Sequence, residues 1–203
     1  MSRGKISRRQ HMASPSAVKD VSGSAAYAQR VTMPSLHLQR RYEFAPSIVW
    51  DALVDSELVA GWLGDAVIEP ELGGAYSVRG ITPGPAIGVD GRIVDFDRRV
   101  HLRVAGSSGA ILDLTLDEVA GGNRGSSTRL SVRIASTVEA AFAARVKADW
   151  LISLDQLGDL LHGHPVDWQH WDRDYAAAWS QHLEGAAIDP AIEGPGSRRH
   201  PRG

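Results

Sequence analysis

Leu36, Leu38, Arg40, Tyr42 and Phe44 alternate with His37, Gln39, Arg41 and Glu43, a two-residue period that predicts a strand with one buried face. The period then changes. Pro46 suits the first turn of a helix, where its missing N–H costs nothing, and Ile48, Val49, Ala52 and Leu53 follow at helical spacing. Asp55 or Ser56 can cap a second short helix holding Leu58, Val59 and Trp62, and Gly64 can stop it.

Six further strands are predicted over residues 66–69, 75–79, 87–96, 100–104, 111–119 and 128–135. The turns between them are carried by Leu72-Gly73-Gly74, Pro83-Gly84-Pro85, Asp97-Arg98-Arg99, residues 106–109 and Gly121-Gly122-Asn123-Arg124-Gly125. Turn chemistry at these intervals, with no helix-length period between, implies consecutive antiparallel pairing. Leu112, Leu114 and Leu116 share a face, as do Leu130, Val132 and Ile134. The opposite faces carry Asp113, Thr115 and Asp117 against Arg129, Ser131 and Arg133, which reads as one apolar and one water-facing side of the sheet.

Ser136-Thr137-Val138-Glu139 has capping-box spacing. A helix of about 25 residues is expected after it, with Phe142, Val146, Trp150, Leu154, Leu157 and Leu161 as its stripe and Gly163-His164-Pro165 as its end. Trp168, Trp171, Tyr175, Trp179 and His182 then recur at spacings of three and four, predicting an amphipathic helical extension over residues 164–184. Its rings are too much apolar area to leave in water; docking on its own domain is preferred to a dimer interface. These elements bury their apolar faces together if the sheet curls around the long helix, an α+β architecture.

Composition narrows the function classes. The 203 residues are 43% hydrophobic and 23% charged, with a net charge of -2 and no cysteine. These are values of a soluble globular chain, without disulfides, thiolate metal sites or a bilayer-spanning apolar run, and a cytoplasmic location is the default expectation. Arg3, Lys5, Arg8, Arg9, Lys19 and Arg30 make residues 1–34 basic, so the middle is acidic and lacks the basic face that nucleic-acid binding needs. Residues 1–34 are expected to be a disordered leader or a remnant outside the native domain, and 185–203 a disordered tail.

The ordered set Arg41-Tyr42-Glu43-Phe44-Ala45-Pro46, Val49-Trp50-Asp51-Ala52-Leu53, Gly61-Trp62-Leu63, Gly73-Gly74-Ala75-Tyr76-Ser77-Val78-Arg79 and Asp149-Trp150-Leu151 through Leu154-Asp155-Gln156-Leu157 resembles the START-like (SRPBCC) superfamily. Within it the chain looks most like the bacterial members of the family named for the activator of heat-shock protein 90 ATPase. The resemblance covers residues 35–163. It implies a helix-grip domain, with two short helices after the first strand and about seven strands around a long C-terminal helix. It implies no shared catalytic motif, and a cavity for a hydrophobic ligand between sheet and helix.

Candidate contacts for that ligand are Arg40, Tyr42, Trp62, Tyr76, Trp150 and Leu154. An inward guanidinium or phenol can orient a polar end, and aromatic walls suit flat apolar molecules. His162, His164, Asp155 and Asp159 have metal-ligand spacing but no convincing further ligand, so no metal and no cofactor are expected. His101 sits with Arg103 on the charged sheet face, a poor place for a general base. No catalytic residue is assigned. The expected function is a non-catalytic binding module for a small hydrophobic molecule, monomeric or homodimeric. The alternatives are a polyketide cyclase or dehydratase on the same scaffold, which needs ionisable groups inside the cavity, and a chaperone-linked or homodimerising protein–protein module.

Overall fold

The computed structural model describes residues 35–107, 109–122, 125–135 and 142–188. The expected leader, the capping box and the segment from residue 189 lie outside them. Strand β1 (Ser35–Tyr42) is followed by helices α1 (Pro46–Val54) and α2 (Ser56–Ala60), then β2 (Asp65–Ile68), β3 (Ala75–Arg79), β4 (Gly88–Asp97), β5 (His101–Gly106), β6 (Ile111–Ala120) and β7 (Ser126–Ala135). The seven strands form one antiparallel sheet in the order β1-β7-β6-β5-β4-β3-β2. Only the step from β1 to β7 is non-consecutive, because the α1–α2 elbow carries the chain from one edge of the sheet to the other.

The registers align apolar side chains in rows across the inner face. Leu38, Val132, Leu114, Leu102 and Phe96 form one row; Leu36, Ile134, Leu112, Val104 and Ile93 form the next. Helix α3 (Ala143–Leu161) lies on these rows through Trp150, Leu154 and Leu157, all buried. The outer face is less wet than its pattern predicts. Asp113 is only 9% exposed, set between His101 Nε2 at 3.0 Å and Arg103 Nε at 2.7 Å. Burial alone would raise its pKa; the hydrogen bonds and charges of Arg103 and His101 outweigh that and hold it below the usual carboxylate range.

The elbow is closed by hydrogen bonds between buried rings and backbone. Trp62 Nε1 donates to the Ala52 carbonyl at 2.9 Å, and Tyr76 Oη on β3 donates to the Leu53 carbonyl at 3.0 Å. Asp55 caps α2 by accepting from the Glu57 and Leu58 amides. Gly64 ends the elbow at φ +151, where an added Cβ would fall 2.2 Å from the Arg79 carbonyl oxygen, so no larger residue fits without moving β3.

Two features of the C-terminal part differ from the sequence expectation. Phe142, assigned to the α3 stripe, precedes the helix and is 55% exposed. The extension is not one helix. A 3-10 turn (Trp168–His170) leads to α4 (Trp171–Asp174) and then α5 (Ala176–Ile188), broken at Tyr175, where φ is -126. The break lets successive rings meet different parts of the domain instead of one stripe, and α5 carries helix through residues 185–188, expected as tail.

The rings dock on the same chain. Trp171 is buried with Ile152 and Val166 as a second apolar cluster. Trp168 Nε1 reaches the Ala60 carbonyl at 2.8 Å, and Tyr175 Oη reaches Asp159 at 2.9 Å. At the centre lies Gln156 on α3, fully buried. Oriented so that both neighbours are satisfied, its amide donates to the Trp62 carbonyl at 2.8 Å and accepts from Trp171 Nε1 at 2.5 Å. Gln156→Leu keeps the volume but orphans a buried carbonyl and a buried indole N–H, so it should cost roughly 2–4 kcal/mol in urea unfolding. A loss below ~0.5 kcal/mol would mean that the bridge does not form.

Candidate functional site

A cavity of about 630 Å³ opens between the inner sheet face and the N-terminal half of α3, within the ~300–1,000 Å³ range of small-molecule sites. Its floor is the row Ile134, Leu112 and Val104; Val146 and Trp150 of α3 lie on the opposite side. Its wall includes Ala86, Gly88, Gly106, Ser107 and Ala110. Those small side chains explain why a cavity exists here. Where the facing positions are Leu, Tyr and Trp the sheet and helix fill each other, and where they are Gly, Ala and Ser the gap stays open.

The rim is polar, with Arg79 and Asp90 exposed. Inside the rim the side chains are mostly apolar, with Ser77, Ser107 and one buried acid among the described residues. Asp149 is 4% exposed and lines the cavity. Its Oδ1 accepts from Trp179 Nε1 of α5 at 2.7 Å, and the Ala86 backbone N–H lies near enough to favour its charged form. Burial raises its pKa above the ordinary carboxylate value, only partly opposed by the Trp179 hydrogen bond, the Arg145 charge and the Ala86 amide. Arg145 lies over the Trp179 ring, 5.5 Å from its centroid.

Of the six ligand contacts expected from sequence, the cavity takes in Trp150. The others sit elsewhere in the packing. Arg40 pairs with Asp155, whose other oxygen meets His182 Nε2 of α5 at 2.6 Å. Tyr42 Oη donates to the Leu154 carbonyl at 2.8 Å, and Leu154 is core. Burial raises the pKa of both Tyr42 and Tyr76, so these phenols stay neutral donors that tie helices to the sheet. Trp62, expected at the cavity mouth, is 2% exposed beneath the elbow.

The residues with metal-ligand spacing are kept apart. His162 Nδ1 lies against the Gly158 carbonyl, Asp159 holds Tyr175, and Asp155 holds Arg40 and His182. Among the described residues no group of three His, Asp or Glu side chains could hold a metal ion. No described helix is long and apolar enough to cross a membrane. His101 is engaged by Asp95 and Asp113 on the outer face.

Sequence reasoning missed Asp149 as a cavity residue. Its signal was available: an acid three positions after Val146 and next to Trp150, inside the apolar stripe of a helix whose sheet-facing side is buried.

Comparison with known proteins gives the same frame. The family described as activator of Hsp90 ATPase homolog 1-like protein matches residues 43–162. Among solved structures, CV1439 from Chromobacterium violaceum is 20% identical, with a TM-score of 0.53, over 63% of this chain and 97% of that one. CalU16 from Micromonospora echinospora is 20% identical, with a TM-score of 0.51, over 73% of this chain and 88% of its own. DynU16, from the dynemicin biosynthetic locus, is 21% identical over 65% of this chain and 49% of its own, with a TM-score of 0.50. At these identities the likeness is one of fold. Among curated proteins there is no match.

Because the folded-state pKa of Asp149 is raised, the stability tied to its protonated form is complete below the ordinary carboxylate pKa and is lost as pH rises through the raised value. Asp149→Asn keeps an acceptor for Trp179 and removes the charge. The melting temperature of the variant minus that of the parent should therefore grow by a few degrees between ~pH 4 and ~pH 8. A difference that is flat with pH would show that the carboxylate is not penalised by burial.

Proposed function

The chain belongs to the activator of Hsp90 ATPase homolog 1-like family, and on that footing we propose that it is a binding module for a small, largely apolar molecule held in the cavity between the sheet and α3. One observation carries this reading: the helix-grip core is filled along most of α3 but leaves about 630 Å³ beside Val146 and Trp150. Burial of ligand hydrocarbon against Ile87, Leu112, Ile134 and Trp150 would supply affinity. Arg40, Tyr42 and Tyr76, which sequence suggested for orienting the ligand, are not among the lining of this cavity and pair with Asp155 and with the Leu154 and Leu53 carbonyls. Cavity polarity is left to Asp149, Ser77, Ser107 and the rim.

A cyclase- or dehydratase-type enzyme is the second reading, and Asp149 is what favours it. A buried acid with a raised pKa is a fitting general acid or base. The inner lining supplies no second ionisable partner among the described residues, so binding without turnover is preferred. Mass spectrometry of a recovered ligand separates the two, since a binder returns it unchanged.

A panel of fatty acids, aromatic polyketides and substituted naphthalenes should include compounds that raise the melting temperature by several degrees near saturation. Ligand at 100-fold its Kd adds about 2.7 kcal/mol by mass action. Ala110→Phe places a ring where the wall has a methyl group, and should weaken those compounds at least ~10-fold while the chain stays folded. The binding reading is lost if no compound shifts the transition, or if the filled variant binds as well as the parent.

A further inference from the structure

The cavity combines a mostly apolar lining with one buried carboxylate, and that pairing constrains what can enter. Asp149 is only 4% exposed on the cavity wall. The N–H groups beside it are neutral: the Trp179 indole at 2.7 Å and the Ala86 amide. A carboxylate offers about four lone-pair sites, so two donors leave it room for more. Arg145 lies over the Trp179 ring at 5.5 Å and acts on Asp149 only through space, while Arg79 stands at the exposed rim.

Three classes of apolar ligand meet this site differently. An apolar acid would set a second negative charge beside the buried Asp149, and like charges repel. A hydrocarbon without a head group would bury the carboxylate further and return nothing for its lost hydration. An apolar amine would bring a charge-assisted donor to the free lone pairs. Its cation would also lie near Trp150, the aromatic ring adjacent in sequence that lines the same cavity.

We infer that the cavity selects a small apolar molecule carrying a protonated amine, and that the ammonium group docks on Asp149. This rests on the binding reading above and names its ligand class. Trp179 is a positioning residue in this arrangement, since it holds one carboxylate oxygen and leaves the rest to the cavity. It belongs to α5, beyond the 43–162 stretch matched to the family, which contains Asp149 itself.

The test uses the full chain and three probes with one ring system and different heads: naphthylmethylamine, naphthylmethanol and naphthoate, titrated by calorimetry at neutral pH. The amine should bind at least about tenfold more tightly than the alcohol, because only the amine sets a full positive charge against the carboxylate, and naphthoate should be weakest. In Asp149→Asn the amine should lose its advantage over the alcohol. Equal binding of amine and alcohol by the parent overturns the inference and leaves the apolar cavity reading standing. An amine preference that survives in Asp149→Asn overturns it equally. Binding of none of the three overturns both. The parent's ranking of the probes decides the question even if the variant does not fold.

Discussion

Helix α3 is buried on two sides at once, and most of the structure follows from that. One side lays Trp150, Leu154 and Leu157 on the apolar rows of the sheet. The other carries Ile152, Gln156 and Asp159 to the C-terminal segment, where Trp171 and Tyr175 meet them. Polar side chains on the buried faces of such a helix are cut off from water, so Gln156 and Asp159 find partners within the fold. Gln156 is the tightest case, because its single amide joins the elbow, the helix and the extension.

The same constraint separates architecture from site. Trp62, Tyr76 and Tyr42 each pair a buried polar atom with a main-chain carbonyl, and so act as pins between sheet and helices. The cavity occupies the remaining end, where Gly88, Gly106 and Ala110 are too small to reach α3. Large side chains therefore close most of the interior, and small ones decide where it stays open. Family membership accounts for the frame over residues 43–162; the segment that holds Asp149 through Trp179 lies past it.

Much of the fold was legible in the chain. Two-residue alternation in the first and last two strands, and turn chemistry between the others, located all seven strands to within a few residues. Pro46, Asp55 and Gly64 marked the elbow because their backbone requirements are local. The failures share a cause. Phe142 in the α3 stripe, the amphipathic helical extension over 164–184 and the water-facing reading of Asp113 were all judged from periodicity. Periodicity cannot tell that a second layer will cover a polar face or break a helix at Tyr175. The site was less legible still. Arg40 was rightly placed on the inward side of β1, yet its acid partner comes from Asp155, 115 residues away.

The sequence by itself determined the element order, the antiparallel meander, the elbow and the long closing helix, because those depend on hydrophobic period and turn chemistry read over short windows. Only the tertiary structure decided which aromatic residues became pins and which became walls, where the interior remained open, and that Asp149 faces it. Those outcomes depend on the volume left between surfaces far apart in the chain, and on which donor happens to face which acceptor across that gap. No local pattern encodes them.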